Sequence, residues 1–283
     1  MASQPRGNVR ELRPNTPPPL GVAASSGTGN RIGGSRNEIW LCPAYNQHGE
    51  AVMVYLKLGL PTRAMLVEAL CAQLAHCIGL ESPPPYLVTV NPRHVDRPPG
   101  PKALVFGAED VATRSLARPV RALDTLLDIL RRMRVDDLSC AFDEWIGNDV
   151  RSPSDILVSP ESRVFMIDHE AALAENTAAD AALTNWIAAR LIEGMDLDHR
   201  AIFLRRVRGR IAALHRVSLG EPPLAAQYSQ DGVAIYTGLI QFLRARLAHV
   251  DQLLSQRILP EQAYLTPLAD LPNADDHGSH RAS

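Results

Sequence analysis

The segment from Phe142 to Glu170 constrains the fold of this chain more than any other stretch, because it predicts a β-hairpin that is preceded by one acidic residue and followed by another. Two short apolar runs, Ile156 to Val158 and Val164 to Ile167, are separated by a turn that contains Pro-Glu-Ser. Asp155 precedes the first run, and Asp168 follows the second, 13 positions later. The hairpin would therefore bring two carboxylates together.

Two neighbouring side-chain oxygens at rigid strand ends suit Mg²⁺, a hard cation that is bound by one or two side chains together with substrate phosphates. Protein kinases take one such ligand from a position five residues after the catalytic Asp, and the other from the Asp of a D-F-G sequence. Asp155 and Asp168 occupy these two places. Five residues before Asp155, however, the chain has Val150, and the nearest carboxylate is that of Asp149.

The residues around this hairpin resemble the HipA-like kinase family, compact bacterial relatives of protein kinases and phosphoinositide kinases. Family members typically read W-I-x-N-x-D-R-x-x-x-N-L-L, followed after a variable stretch by L-I-D-H. This chain reads WIGNDVRSPSDIL and then MIDH. The resemblance implies that Val150 replaces the catalytic Asp and that Asp155 replaces a metal-binding Asn.

A lysine and a glutamate upstream have the order that a kinase nucleotide site requires. Val52 to Leu58 is an apolar run of strand length that contains Lys57, and a charge in such a strand needs a partner. Ala64 to Ile78 has leucines four apart and is followed by Gly79, which predicts an amphipathic helix carrying Glu68. In kinases a strand lysine bonds the α- and β-phosphates of ATP and is held by a glutamate of the next helix.

A glycine-rich segment lies before these elements, from Gly27 to Ser35. It lacks the G-x-x-x-x-G-K-[ST] pattern of a P-loop, so one reading is a simple linker. The other is a flexible loop that brings backbone N–H groups against phosphate, with Gly33, Gly34 and Ser35 as the cofactor-binding candidates.

The resemblance implies an α+β, bilobal protein-kinase-like fold with a small β-containing N-lobe and a mainly helical C-lobe. We expect residues 1–36 to form a flexible basic arm, because the first 37 residues contain five Arg and one Glu among many Pro, Ser and Gly residues. The N-lobe is expected at 37–106, and the C-lobe at 107–265 with its catalytic and metal loop at 145–170. A disordered tail is expected at 266–283.

Other elements follow from local patterns. Apolar residues at three- and four-residue intervals predict helices at Ala181 to Ile192, Asp198 to Val217 and Val233 to Ile258. Asp136 is expected to cap the start of a further helix. A strand within Ser82 to Val90 resembles the family strand that leads to the hinge where adenine binds.

Charge and hydropathy say little about partners. A net charge of −2 gives no global attraction to nucleic acid or to a membrane. No apolar run approaches the roughly 18 residues of a membrane span, and the start lacks the hydrophobic core of a signal peptide, so a cytoplasmic protein is expected. The arginines of the helix at Asp198 to Val217 could bind nucleic acid, but a solvated helix face is the reading that we favour.

The resemblance implies a kinase that uses ATP and Mg²⁺ to phosphorylate a hydroxyl, on Ser or Thr of a protein. The alternative is a pseudokinase that binds nucleotide or a protein partner as a regulator. Loss of a general base slows a reaction without abolishing it when positioning and electrostatics supply most of the catalysis. The expected roles are phosphate binding by Lys57, orientation of that lysine by Glu68, metal binding by Asp155 and Asp168, a contested base role for Asp149, and stabilisation of the loop or of developing charge by Arg151.

Overall fold

The computed structural model describes residues 20–33, 37–114, 116–220 and 231–260. Strands dominate the amino-terminal part of this chain, and helices dominate the part that follows, so the α+β class expected from the sequence is confirmed. Of the expected site residues, Gly34 and Ser35 lie outside the described residues, as do residues 1–19 of the predicted arm and the tail predicted at 266–283.

The amino-terminal sheet closes on itself. Its strand order is β1-β5-β6-β4-β3-β2, and β1 pairs with β3 as well, so that five of the six strands form a small barrel. Its interior holds alternate residues of the strands, such as Trp40, Cys42, Leu56 and Val88, which follows the two-residue period of β-structure. The strands are β1 Gly21–Ser25, β2 Asn30–Ile32, β3 Glu38–Asn46, β4 Ala51–Leu58, β5 Pro85–Val90 and β6 Ala103–Glu109.

The first two strands correct the prediction of an arm over residues 1–36. β1 pairs in parallel with β5 and antiparallel with β3, and β2 pairs with the other end of β3. Small residues suit β1 because the barrel is crowded there: a Cβ atom on Gly21 would lie 2.5 Å from Cδ1 of Tyr86. The Gly, Ala and Ser composition that resembles a linker therefore reflects close strand packing.

Helix α1, Thr62–Ile78, extends two residues before the predicted start and ends where the sequence predicted. Gly79 follows it with a φ of 89°, a left-handed conformation that glycine adopts without steric cost. Leu66, Leu70 and Leu74 are buried, and they pack in the same cluster as Trp145 and the other helices. Glu68 is thus carried on a helix that belongs to the helical core.

The rest of the described chain packs around Trp145, whose Nε1 donates a hydrogen bond of 3.0 Å to the carbonyl of Leu243. A short hairpin and a third short strand form a separate three-stranded sheet. The helices are α2 Val111–Arg114, α3 Leu123–Arg132, α4 Asp136–Ile146, α5 Trp186–Ile192, α6 Leu197–Leu214, α7 Gly232–Leu247 and α8 Val250–Ile258, and the small strands are β7 Arg118–Pro119, β8 Ile156–Val158 and β9 Val164–Met166.

Several predicted helix ends were wrong. The helix predicted from Ala181 begins only at Trp186, because Asn185 acts as its N-cap and accepts a 3.0 Å hydrogen bond from the N–H of Ala188. The single helix predicted over Val233 to Ile258 is two helices, and its chain changes direction at Ala248 and His249. Asp136 is the first residue of α4 rather than its cap, a place where an acidic side chain favours the helix dipole.

The arginines of α6 are largely matched by acidic side chains. Arg206 bonds Asp136 at 2.5 Å, and Arg210 bonds Asp137 at 3.1 Å. Arg208, on the same helix, bonds an aspartate of α8 at 2.8 Å. This pairing weakens the attraction that these arginines could offer to a nucleic acid, so the expectation of no nucleic-acid partner stays our prediction. Among the described residues, we find no helix whose length and apolar character would allow it to cross a bilayer.

Candidate active site

The hairpin of β8 and β9 brings the backbones around Asp155 and Asp168 together. Ile156 faces Met166 in the antiparallel register, and the N–H of Ile167 donates a 2.9 Å hydrogen bond to the carbonyl of Asp155. Asp168 follows directly after this pair. Its φ of 61° is left-handed, a conformation that is uncommon for any residue except glycine and that is often found at functional sites.

The carboxylate of Asp155 is engaged in a local turn. Its Oδ2 accepts hydrogen bonds from the backbone N–H of Ser152 at 2.8 Å and from Oγ of Ser152 at 2.9 Å. The bond from the N–H of Ser152 is one half of a capping box on the short 3₁₀ turn Pro153–Asp155. A metal ion at Asp155 would therefore compete with Ser152, or share the carboxylate with it.

Asp168 instead contacts Lys57, which also contacts Glu68. The Nζ of Lys57 donates to Oδ1 of Asp168 at 2.5 Å, and it also contacts Oε1 of Glu68 in a short ion pair. The strand lysine, the helix glutamate and the hairpin aspartate come from three separate elements. Lys57 therefore contacts both of the acidic residues that the sequence analysis grouped with it.

Opposite charges shift the pKa values of this pair. Burial alone would lower the pKa of Lys57 and raise that of Glu68. The charges of Glu68 and Asp168 outweigh burial and raise the pKa of Lys57. The hydrogen bond from His169 and the charge of Lys57 lower the pKa of Glu68 to about 2. Both side chains are therefore ionised at neutral pH.

Glu68 also holds the segment that follows Asp168. Its Oε2 accepts a 2.9 Å hydrogen bond from the backbone N–H of His169. The ring of His169 is buried and packs edge-on against Phe142, with 5.9 Å between the ring centroids. Burial lowers the pKa of this imidazole, which favours its neutral form. The position of Asp168 is thus fixed from α1 as well as from the hairpin.

Sequence reasoning missed Glu170 and Asn37. Oε2 of Glu170 accepts a hydrogen bond from Nζ of Lys57 at 3.1 Å, and both of its oxygens lie 2.7 Å from Nδ2 of Asn37. One available signal was that Glu170 stands two residues after Asp168, in the place of the glycine of D-F-G. Oxygens of Glu68, Asp168 and Glu170 lie within 4.8 Å of one another, a donor set that a divalent cation could use.

Arg151 is fully buried rather than directed toward the cleft. Its Nη2 bonds Oδ1 of Asp143 at 2.9 Å, and the side chains of both residues have no exposed surface. Its Nη1 donates to the carbonyl of Ile167 at 2.5 Å, next to Asp168. Burial alone would lower the pKa of Arg151, but the charge of Asp143 reverses the effect and raises it. Of the two roles expected for Arg151, this geometry favours stabilisation of the loop.

Asp149 and Val150 both lie on the surface. α4 ends at Ile146, and Gly147 follows with a φ of 60°, so the chain turns away from the helix axis before these residues. Asp149 is exposed, and 57% of the surface of Val150 is accessible. An aspartate at either position could reach solvent without a large desolvation cost.

A cavity of about 580 Å³ lies beside Lys57, Glu68 and Asp168. It is within the size range of small-molecule and cofactor sites, and most of its wall is apolar. Gly33 follows Ile32, a residue of the wall, and is exposed. The wall includes Ile32, Ile39, Tyr55, Lys57, Phe106, Ala108, Glu109, Ala117, Leu157 and Asp168.

The connection beside this cavity differs from the predicted hinge. β5 leads into the loop at 91–102, which returns to β6 of the same sheet. The chain leaves the sheet for α1 after Leu58 and returns to it at β5. It leaves the sheet for the last time after Glu109, and the segment that begins at Asp110 leads to the later helices and contributes to the cavity wall. A hinge role would therefore fall to this later segment, because β5 and β6 form an antiparallel hairpin.

We expect the ionisation of Glu68 to make the free energy of unfolding depend on pH in the acidic range. Its pKa of about 2, against an ordinary value of 4.5, corresponds to roughly 3 kcal/mol of stability that is present above pH 4.5 and is lost as the pH falls toward 2. The free energies of unfolding of the wild type and of Glu68→Gln, measured in urea, should therefore differ most near neutral pH. This difference should shrink between pH 4.5 and pH 2. A difference that is constant with pH would contradict the prediction. Glu175→Gln, which changes an exposed residue, serves as the control.

Comparisons with known proteins give one family match. A family model described as HipA-like kinase matches residues 30–251. Among solved structures, the chain is similar to the proinflammatory kinase CtkA of Helicobacter pylori, with 10% identity and a TM-score of 0.48, over 85% of this chain and 98% of that one. The search of curated proteins found no match.

Proposed function

Because the chain belongs to the HipA-like kinase family, we propose that it binds ATP with Mg²⁺ and transfers the γ-phosphoryl group to a hydroxyl, on Ser or Thr of a protein. The barrel with α1 would act as the N-lobe and the helices as the C-lobe of a bilobal kinase. The cavity of about 580 Å³ has room for a nucleotide base and sugar. A cytoplasmic location would give such an enzyme both ATP and protein substrates.

One observation carries this proposal: Lys57 contacts Glu68 and Asp168 at the edge of the cavity. Kinases use such a lysine to hold the α- and β-phosphates, and the glutamate to keep the lysine in place. Catalysis of phosphoryl transfer depends mainly on positioning and on electrostatic stabilisation, which this group of charges can supply. Gly33, Gly34 and Ser35 would approach the phosphates through their backbone N–H groups.

Mg²⁺ would bring charge neutralisation to the transferring phosphoryl group. The side chains present fit this ion, since Asp168 and Glu170 offer hard oxygen donors close together. Asp155 would join them if its carboxylate left the turn that it caps. Arg151 would fix the carbonyl of Ile167, and with it the start of the segment that carries Asp168.

Nucleotide binding and transfer test the proposal together. We expect ATP with Mg²⁺ to raise the melting temperature of the wild type, because a ligand that binds the folded state at 100 times its Kd stabilises it by about 2.7 kcal/mol. Asp168→Ala should lose most of this shift and all transfer of labelled γ-phosphate, since it removes a metal donor. Glu175→Gln should behave as the wild type. Absence of both the shift and transfer in the wild type would refute the proposal.

The second candidate is a pseudokinase that binds nucleotide or a protein partner and regulates it. The observation that favours it is the exposed Val150, which stands where the family has its catalytic Asp. A melting-temperature shift with ATP and Mg²⁺, but no labelled product with any general protein substrate or by autophosphorylation, would favour this regulator. Transfer that Asp168→Ala abolishes would exclude it.

A further inference from the structure

Glu170 already occupies part of the hydrogen-bonding capacity of Lys57. An ammonium group has three donors, and Nζ of Lys57 uses them on Glu68, on Asp168 at 2.5 Å and on Glu170 at 3.1 Å. A nucleotide phosphate that bound this lysine would have to replace one of these carboxylates. Glu68 is buried and also holds His169. Asp168 is more exposed than Glu170, but its contact with Lys57 is the closer one, at 2.5 Å against 3.1 Å. Glu170 therefore makes the longest of the three contacts and is the carboxylate most easily displaced from Lys57.

Asn37 holds Glu170 in this place. Its Nδ2 lies 2.7 Å from both carboxylate oxygens of Glu170, although the two residues are 133 positions apart. Asn37 comes directly before β3, which lines the cavity through Ile39. The contact therefore joins the residue before β3 to the segment after Asp168.

The charge at this end of the cleft is negative. Lys57 contributes one positive charge, and Glu68, Asp168 and Glu170 contribute three negative charges whose oxygens lie within 4.8 Å of one another. The nearby Arg151 does not change this sum, because Asp143 neutralises it. A nucleotide without its metal would bring further negative charge into this field.

We propose that Glu170 restricts the cleft to metal-bound nucleotide, by competing with the phosphates for Lys57 and by repelling phosphate that carries no cation. This inference rests on the proposed function. A divalent cation neutralises carboxylates and phosphates together, so it allows Glu170 to leave Lys57 without leaving an unpaired charge. Glu170 is thus a specificity-determining residue, and Asn37 positions it.

The test is calorimetric titration with ADP, which binds without being a phosphoryl donor, in excess Mg²⁺ and in EDTA. We expect the wild type to bind about 100-fold more tightly with Mg²⁺ than in EDTA, and Glu170→Gln to reduce this ratio about tenfold, through tighter binding in EDTA. Glu170→Gly, which restores the glycine of D-F-G, should reduce this ratio at least as much as Glu170→Gln. Glu175→Gln is the matched control, and its ratio should equal that of the wild type.

The possible outcomes separate this inference from the function on which it rests. Equal binding of ADP in EDTA by the wild type and by both Glu170 variants, with binding intact in Mg²⁺, would overturn the inference alone. No binding by the wild type in Mg²⁺ would overturn the proposed function and this inference with it. Tighter binding of ADP in EDTA by both Glu170 variants than by the wild type, with melting curves that remain cooperative, would support it. A smaller metal dependence that comes only from weaker binding in Mg²⁺ would show that Glu170 acts as a metal donor alone and would overturn the inference.

Discussion

Val150→Asp is expected to raise the rate of phosphoryl transfer by about 10²- to 10⁴-fold, which is the usual contribution of a general base. The substitution restores the aspartate five residues before Asp155, as the family pattern has it. The new carboxylate should cost little stability, since 57% of the surface of Val150 is accessible. Single-turnover transfer of labelled γ-phosphate from ATP is the measurement.

Asp149 provides the decisive control. If the loop between α4 and the 3₁₀ turn already presents Asp149 to the substrate, Asp149→Asn should lower transfer by about 10²-fold or more, and Val150→Asp should add little. If Asp149 has no such role, Asp149→Asn should leave transfer unchanged, and the gain from Val150→Asp should persist in the double variant. A lack of gain from Val150→Asp, together with an inert Asp149→Asn, would contradict the prediction.

The contacts of Lys57 could be predicted from sequence because each partner lies in an element with a strong local pattern. Lys57 interrupts an apolar strand, Glu68 lies on a helix that ends at Gly79, and Asp168 follows the second strand of a tight hairpin. The family order then indicates that these elements meet. Each of the three residues could be identified without knowledge of the packing between the sheet and the helices.

Glu170 could not be found in this way, since its role depends on a contact between distant parts of the chain. Asn37 and Glu170 approach each other only because the sheet lies over the hairpin. Nothing in the local sequence around Asn37 marks it as a partner. The substitution of the D-F-G glycine was the available signal, and it indicates an unusual side chain without showing what that side chain contacts.

The hydrogen bonds of the Asp155 carboxylate to Ser152 arise from the local sequence, which the family comparison does not take into account. An aspartate three residues after a serine can complete a capping box on a tight turn, whereas the asparagine of the family pattern carries no charge. The sequence Ser152-Pro153-Ser154-Asp155 thus has two readings, a metal ligand and a turn cap. We predicted the metal ligand because Asp155 falls in the kinase order, although an aspartate on its own is a common turn former.

A buried charge pair accounts for Arg151, the arginine of the family pattern in this loop. Arg151 and Asp143 form several hydrogen bonds, and neither side chain has exposed surface. The attraction between such charges offsets the cost of removing them from water only while both are present. Loss of one partner leaves the other charged in an apolar environment, so we expect Arg151 to be needed for stable folding of the loop.

Arg151→Leu should therefore lower the free energy of unfolding by about 3 to 5 kcal/mol, measured by urea denaturation at pH 7. Addition of Asp143→Asn to this variant should recover much of the loss, since it removes the uncompensated charge. Arg208→Leu breaks an exposed ion pair with Asp251 and should cost less than about 1 kcal/mol. Equal costs for the two arginine substitutions would show that Arg151 does not compensate a buried charge. A larger loss for Arg151→Leu, with partial recovery in the double variant, would support a structural role for Arg151. In that role it neutralises Asp143 and holds the carbonyl of Ile167, next to Asp168, instead of binding a phosphate.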